Sequence, residues 1–324
     1  MSPSAQTDSD FLFRPGLAED TRVAFPFALP SALGPLEPLV GTWHGRGLNT
    51  IWRPHFPDSP QDRFLELNLT SEILTFSPIP NRGLLQPDIF MFGLTYMQQI
   101  AEFVSGEGLH IEPGIWAAVP ETTAPQEPPT VVRMASIPHG TVILAQGTAS
   151  TAAGPPTIPN NNIIPFKEGQ NPAPEYEHAA AEANFPELIL SNPSEFREAS
   201  PGIDQAMVEN PNSLLQGVIA QQKIRTTTTL QITTTETPVP GGGTANTAFL
   251  GAGKNADASS VAATFWIEAV EDPDGGPDTL QLQYSQTVLL DFKELHWPHV
   301  TVATLRKQIC PCACVPADST AAHG

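Results

Sequence analysis

The strongest constraint on the fold is the run Gly41-Thr-Trp-His-Gly-Arg-Gly47, which opens an alternating segment. Alternate residues of a strand point to opposite faces, so Gly41, Trp43, Gly45 and Gly47 share one face. A face that is bare except for one large indole suits the interior of a small closed barrel. There the glycines permit close approach of other groups, and the tryptophan plugs one end. The run therefore predicts a ligand-holding β-barrel.

The rest of the chain predicts the same architecture, because strand-like segments alternate with turn residues. Such segments cover residues 63–76, 90–103, 109–119, 130–137, 141–147, 223–236, 260–270, 279–292 and 299–307. The 35 prolines and 24 glycines indicate many turns and few long helices. We therefore expect a mainly β chain, with a single antiparallel barrel of roughly ten strands forming one domain over residues 1–307.

The alternation breaks between about residues 150 and 212, which predicts a long, loop-rich and partly helical insertion. Pro155-Pro156 and Asn171-Pro-Ala-Pro174 are loop chemistry, whereas residues 175–185 and 211–222 are helix-like. Apolar side chains in so long a loop need a surface to pack against. We expect a lid over the barrel mouth. The alternative is packing on the outer wall of the barrel.

Charge and hydropathy limit the partners. The formal net charge of −19 argues against nucleic acid and against anionic membrane surfaces. No apolar run approaches membrane-spanning length, so no membrane span is expected. Residues 1–10 lack the basic start and apolar stretch of a secretory signal, which predicts a cytoplasmic location.

All three cysteines, Cys310, Cys312 and Cys314, lie in a C-terminal tail that we assign to residues 308–324. One interpretation is a soft-metal or redox site. The other is a flexible tail with three exposed thiols, because no histidine or fourth cysteine stands nearby at zinc-site spacing.

Four elements, in order, resemble the nitrobindin family of ten-stranded barrels, which are related in shape to fatty-acid-binding proteins and lipocalins. They are the run 41–47, the strand 64–76, the pair 94–98 and 109–114, and the closing strand with His299 and Leu305-Arg-Lys307. The pair includes the His-x-Glu-x-Gly element at residues 110–114. The resemblance covers about residues 36–150 and 215–307.

The resemblance implies haem b inside the barrel, His299 as the metal ligand, and isomerisation of peroxynitrite to nitrate. Aligning the chain ends on Leu305-Arg-Lys307 displaces His299 by one residue from the family's histidine. A slip of one residue turns a strand side chain to the opposite face. Both an inward and an outward His299 therefore remain open.

Several further residues are candidates for the site. His110 and Glu112 lie two residues apart on one strand face and would serve as a catalytic acid–base pair, or as an ordinary polar pair outside the barrel. Trp43, Tyr96, Gln98 and Tyr284 are candidates for cofactor binding together with His299. A wider set that would line a partly polar pocket adds Gln146, Gln283 and Gln286. His44 is expected outside and His139 exposed in a hairpin turn.

Three functions follow from these residues. The first is a haem-binding barrel of nitrobindin type that acts on reactive nitrogen or oxygen species. The second is a metal-free carrier of an apolar small molecule such as a fatty acid or terpenoid. The third is an enzyme that uses the barrel as a reaction chamber, with the insertion excluding water.

Overall fold

The computed structural model describes residues 30–55, 63–80, 92–124, 126–173, 175–235, 242–250 and 255–308. The long strands are β1 (Gly41–Pro54), β2 (Arg63–Pro80), β3 (Phe92–Glu102), β4 (Gly108–Val119), β5 (Thr130–Ile137), β6 (Thr141–Ala153), β7 (Ile224–Thr233), β8 (Asp257–Val270), β9 (Thr279–Phe292) and β10 (Leu295–Lys307). Each pairs antiparallel with its neighbours in the chain, and β1 pairs with both β2 and β10. This closed ten-stranded barrel confirms the predicted fold class.

Short elements surround the barrel. Three helices, α1 (His178–Asn184), α2 (Gln205–Glu209) and α3 (Ser213–Ile219), lie between β6 and β7, together with the 3-10 helix Pro186–Leu188. Phe166–Lys167 pairs with β10, Arg197–Ala199 runs parallel to β2, and Gly243–Asn246 pairs with β6. Thr122–Thr123 and Gln126–Glu127 form a small hairpin, and the 3-10 helix Pro30–Leu39 precedes β1.

The glycine run of β1 allows its close pairing with β10. A Cβ on Gly45 would overlap the carbonyl oxygen of Thr304, and one on Gly47 would overlap that of Val302. Any larger residue would push the two strands apart where the barrel closes. The run is therefore required by the joint between the first and last strands.

One end of the barrel is closed by the 3-10 helix Pro30–Leu39. Leu33, Leu36 and Leu39 belong to the interior apolar cluster, and the indole Nε1 of Trp43 donates a hydrogen bond of 2.7 Å to the Leu39 carbonyl. The Trp43 side chain is fully buried. It plugs this end, as predicted, and leaves the opposite end for ligand entry.

The insertion packs on the outer wall of the barrel, so the predicted lid is wrong and the alternative holds. Its apolar side chains Ile158, Ile163, Ile164, Phe185, Leu188, Ile189, Val208 and Leu215 form one cluster with the outward-facing Leu48, Trp52, Leu65, Leu67, Trp266, Val300 and Val302. The Trp52 indole also donates a hydrogen bond of 3.0 Å to the Ile163 carbonyl. The outer wall presents Trp52, Trp266 and several aliphatic side chains, and apolar surface of this kind is what the side chains of the insertion bury against.

Two sequence predictions concern the cysteine tail and membrane spans. Cys310, Cys312 and Cys314 lie outside the described residues. Within the described part of the chain, no helix is long and apolar enough to cross a membrane.

Candidate ligand cavity

The open half of the barrel contains a cavity of about 310 Å³. Its mouth is formed by Arg53 and Pro54 at the end of β1, by the β5–β6 turn, and by Leu250, Asn255 and Ala256. One part of the wall is apolar, with Ile51, Ile100, Val261, Val288 and Leu290. The volume lies at the lower end of the range for small-molecule sites. None of the described residues in the predicted lid, 150–212, lines it.

The cavity floor includes Gln98 and Tyr284, which donate hydrogen bonds to the buried carboxyl group of Glu72. The Tyr284 hydroxyl donates a hydrogen bond of 2.6 Å to Oε2 of Glu72 and accepts one of 2.9 Å from Nε2 of Gln98. Thr70 donates to the other carboxyl oxygen at 3.2 Å. Burial raises the pKa of Glu72 to about 7, and the hydrogen bonds from Tyr284, Gln98 and Thr70 only partly offset it.

A buried ion pair lies beside this floor. The Arg133 guanidinium contacts the Glu112 carboxylate, donates to the Tyr96 hydroxyl at 2.9 Å and to Oε1 of Gln286 at 2.6 Å. Tyr96 in turn donates to Glu112. Burial alone would raise the pKa of Glu112. The Arg133 charge and the hydrogen bonds from His110 and Tyr96 outweigh it and hold that pKa at about 2.

The His-x-Glu-x-Gly element explains how this ion pair is assembled. Gly114 pairs with Tyr96 across β3 and β4, and a Cβ on Gly114 would overlap the Tyr96 ring. Without that side chain, the tyrosine ring lies over the strand and its hydroxyl reaches Glu112 on the same face. The glycine therefore positions the carboxylate's partner.

Three histidines line the cavity: His110, His139 and His299. The rings of His110 and His139 are 5.4 Å apart, and Nε2 of His110 lies 3.3 Å from Oε2 of Glu112. His139 is exposed, as predicted, but it lies at the cavity mouth. Burial and the neighbouring His110 lower its pKa. The cavity thus has an imidazole pair close to its entrance.

His299 points inward, which settles the orientation that the sequence left open. Its neighbour at the same face, Thr301, also lines the cavity, and Ala303 and Leu305 continue that face into the barrel core. Burial, together with His110 and His139, lowers the pKa of His299 to about 3. The imidazole is therefore neutral at physiological pH. Nε2 of His299 lies 2.7 Å from Nδ2 of Asn49 and accepts its hydrogen bond in the tautomer that this contact requires.

The structure divides the predicted site residues into two groups. His110, Gln98, Tyr284 and His299 line the cavity, as does Gln286 from the wider set. Glu112 and Tyr96 lie behind it in the Arg133 ion pair. Trp43 plugs the closed end, and Gln146 and Gln283 contribute to the outer side of the wall. His44 is exposed outside, as predicted.

Sequence reasoning missed Arg133, Glu72 and Asn49. A signal existed for Arg133: it shares its strand face with Val131 and Ala135, so an arginine stands at an inward-facing position of an otherwise apolar series. Glu72 gives the same signal, because it shares a face of β2 with Leu74 and Phe76 and so puts a carboxyl group at an inward-facing position. Asn49 carries no such signal.

The raised pKa of Glu72 predicts a pH-dependent stability. The folded protein binds this proton more tightly than the unfolded chain, whose glutamates titrate near 4.5. Stability from this group is therefore fully present below about pH 4.5 and falls as the pH rises through about 7. Glu72→Gln should flatten this fall by up to about 3 kcal/mol between pH 5 and 8, measured by urea unfolding.

Glu268→Gln provides the control for that measurement. Glu268 is also fully buried, on the outward face of β8, and burial raises its pKa to about 7. Glu268→Gln should remove the part of the pH-dependent stability that Glu268 contributes and leave the part that Glu72 contributes. A Glu72→Gln variant with the slope of the parent protein would show that Glu72 ionises normally.

Comparison with known proteins identifies no family and finds a distant structural likeness. No family model matches the chain, and no curated protein matches it. Among solved structures, the crystal structure of Rv2717c from M. tuberculosis is similar, with 16% sequence identity and a TM-score of 0.39. The match covers 86% of this chain and 98% of that one. The structure itself establishes a closed antiparallel barrel with an internal cavity.

Proposed function

We propose that the barrel binds a small, largely apolar molecule in its cavity, and that haem b held by His299 is the first candidate. The observation that carries the proposal is the inward, neutral imidazole of His299 on the last strand, next to an apolar wall. A neutral imidazole is the form that coordinates iron. The candidate also follows from the resemblance of the strand motifs to nitrobindins.

The donor chemistry of the cavity fits a haem, with one adjustment. His299 would hold the iron, and the apolar side chains Val261, Val288 and Leu290 would contact the macrocycle. In the structure, Nε2 of His299 accepts a hydrogen bond from Asn49. Coordination of iron through that nitrogen would require the Asn49 amide to turn away from His299. The amide would keep its hydrogen bond to Thr301, whose hydroxyl oxygen lies 2.9 Å from Nδ2 of Asn49.

A bound haem would supply the iron centre at which peroxynitrite is isomerised to nitrate. The chain's own contribution would be to hold the group, to exclude water with the apolar wall, and to place the imidazoles of His110 and His139 at the mouth. Glu112 stays ionised beside Arg133 with a pKa of about 2. It is therefore a weak base, and its expected effect on His110 is to orient the ring.

The test is the absorbance spectrum of the protein as isolated and after addition of haem. A Soret band is expected, and His299→Ala should abolish it or shift it to that of free haem. His44→Ala is the matched control, because His44 is exposed on the outside of the same barrel. No Soret band, or the same band in both variants, would exclude His299-bound haem.

A smaller, metal-free ligand is the second candidate, and two observations favour it. The cavity is only about 310 Å³, and Nε2 of His299 already accepts a hydrogen bond from Asn49. Gln98 and Tyr284 would bind the polar end of such a ligand, and the apolar wall its hydrocarbon part. Native mass spectrometry of a haem-free preparation should then show a co-purifying molecule that Ile51→Trp displaces. A bare protein that ignores fatty acids and terpenoids would exclude this candidate.

A further inference from the structure

A second concave site lies outside the barrel, between its wall and the insertion. We call it the outer groove. It has a volume of about 390 Å³ and is bounded by residues 159–161 and Asn212 of the insertion and by the outward faces of β6, β7, β8 and β9. It shares no lining residue with the internal cavity. Its occupant can therefore differ from the ligand of the cavity.

The side chains of the outer groove are polar and uncharged. Five amides line it: Gln146, Asn160, Asn161, Asn212 and Gln231. Five hydroxyl groups join them, from Thr148, Thr233, Thr264, Ser285 and Thr287. Among the lining residues that the structure describes, none carries a charge, although the chain as a whole has a net charge of −19. The groove offers donors and acceptors without an electrostatic preference for ions.

The rim of the groove is held in place by amide hydrogen bonds. Asn210 donates to Oδ1 of Asn160 at 3.1 Å, and Gln216 donates to the same oxygen at 3.1 Å. Nδ2 of Asn161 donates to Thr287 at 3.1 Å, across from the insertion to β9. Asn212 donates to the Pro159 carbonyl at 2.8 Å. The rim is thus preorganised before any ligand arrives, which lowers the entropic cost of binding.

These bonds leave complementary atoms free. Oδ1 of Asn160 is engaged and its Nδ2 has no partner among the described residues, whereas Asn161 engages Nδ2 and leaves Oδ1. Both residues line the groove, so one amide donor and one amide acceptor remain for a ligand. Adjacent hydroxyl groups of a sugar ring present the matching pair. Gln231 and Thr264 add further polar groups from the barrel wall.

We propose that the outer groove binds a neutral polyhydroxylated ligand, a mono- or oligosaccharide. Amide and hydroxyl groups satisfy both lone pairs and protons of sugar hydroxyls, while the absence of a cation among the described lining residues disfavours anionic ligands. Trp266, which is 3% exposed, lies among the groove residues and offers limited apolar contact for the C–H groups of a ring.

The experiment uses the full-length protein and saturation-transfer NMR with maltotriose, cellotriose and N-acetylated chitotriose, each at about 10 mM to reach weak affinities. A trisaccharide bearing sialic acid is the charged comparison. Transfer is expected to at least one neutral sugar and not to the sialylated one. Ala262→Trp, which fills the groove from an exposed position on β8, should abolish the signal.

Two further variants keep the result interpretable. Gln231→Ala with Thr264→Val removes two polar side chains and should weaken binding at least about tenfold. Gln99→Trp is the control, because Gln99 is exposed on the wall of β3, away from the groove. Absence of transfer to all three neutral sugars overturns the proposal. So does transfer that Ala262→Trp leaves unchanged, since the sugar would then lie elsewhere.

Discussion

Replacing Arg133 with methionine should lower the free energy of unfolding by roughly 3–5 kcal/mol. Arg133 and Glu112 are 1% and 0% exposed, so the substitution strands a carboxylate inside the barrel. Tyr96 and Gln286 each lose the hydrogen bond that Arg133 donates to them. Urea unfolding at pH 7, followed by tryptophan fluorescence, measures the loss.

Two companion variants test whether the stranded charge of Glu112 causes the loss of stability. Arg133→Met with Glu112→Gln should recover part of the stability, because no buried charge remains. Arg53→Met is the matched control: its partner Glu66 and Arg53 itself are 29% and 43% exposed, and such pairs contribute at most about 1 kcal/mol.

The pH dependence has a definite sign. The low pKa of Glu112 stabilises the parent protein above about pH 4.5, and this stability is lost as the pH falls toward about 2. The deficit of Arg133→Met should therefore be largest near neutrality and narrow in acid. A deficit that is equal at pH 7 and pH 3 would show that lost packing, and not the stranded charge, is responsible.

Replacing residues 155–222 with a short Gly/Ser turn should prevent cooperative folding. The turn itself is feasible, because β6 and β7 are neighbours and the amide of Gly154 donates to the Arg225 carbonyl at 2.8 Å. The replacement nevertheless uncovers Trp52, Trp266 and Trp297, which lie 0%, 3% and 1% exposed in the parent protein. Exposed apolar area of this kind drives aggregation. We expect an insoluble protein, or one that binds a hydrophobic dye and unfolds without a sharp transition.

Single substitutions distinguish an insertion that stabilises the barrel wall from one that acts as a lid. Leu188→Ala and Leu215→Ala, at 0% and 1% exposure, should each cost roughly 2–5 kcal/mol. Val104→Ala, 66% exposed in the β3–β4 turn, should change stability by less than about 0.5 kcal/mol. A soluble, cooperatively unfolding barrel that merely exchanged its ligand faster would restore the lid hypothesis.

The barrel itself was predictable because its signals are local. Alternation along a strand depends on neighbouring residues only, so residues 63–76, 279–292 and the glycine run of β1 predicted their strands directly. The bare face of that run also predicted close packing, which Gly45 and Gly47 show against β10. Antiparallel pairing then follows wherever the connection between successive strands is short, as in the Pro138-His139-Gly140 turn between β5 and β6.

The candidate site was only partly predictable, because it depends on groups brought together from distant strands. The sequence identified His110, Gln98 and Tyr284, which lie on polar–apolar alternations that point inward. It did not pair Glu112 with Arg133, since that contact depends on the register of β4 against β5. The pKa of Glu72 depends likewise on how completely the closed barrel removes it from water.

Sequence alone determined the period of the strands, their order and the closure of one end by Trp43. Tertiary structure decided the orientation of His299 and the position of the insertion. The face of a strand residue reverses with a register shift of one, and the register of β10 is set by its pairing with β1 and β9 together. The insertion lies on the outer wall because its apolar side chains bury against the apolar side chains of several strands there, and those strands come together only once the barrel has closed.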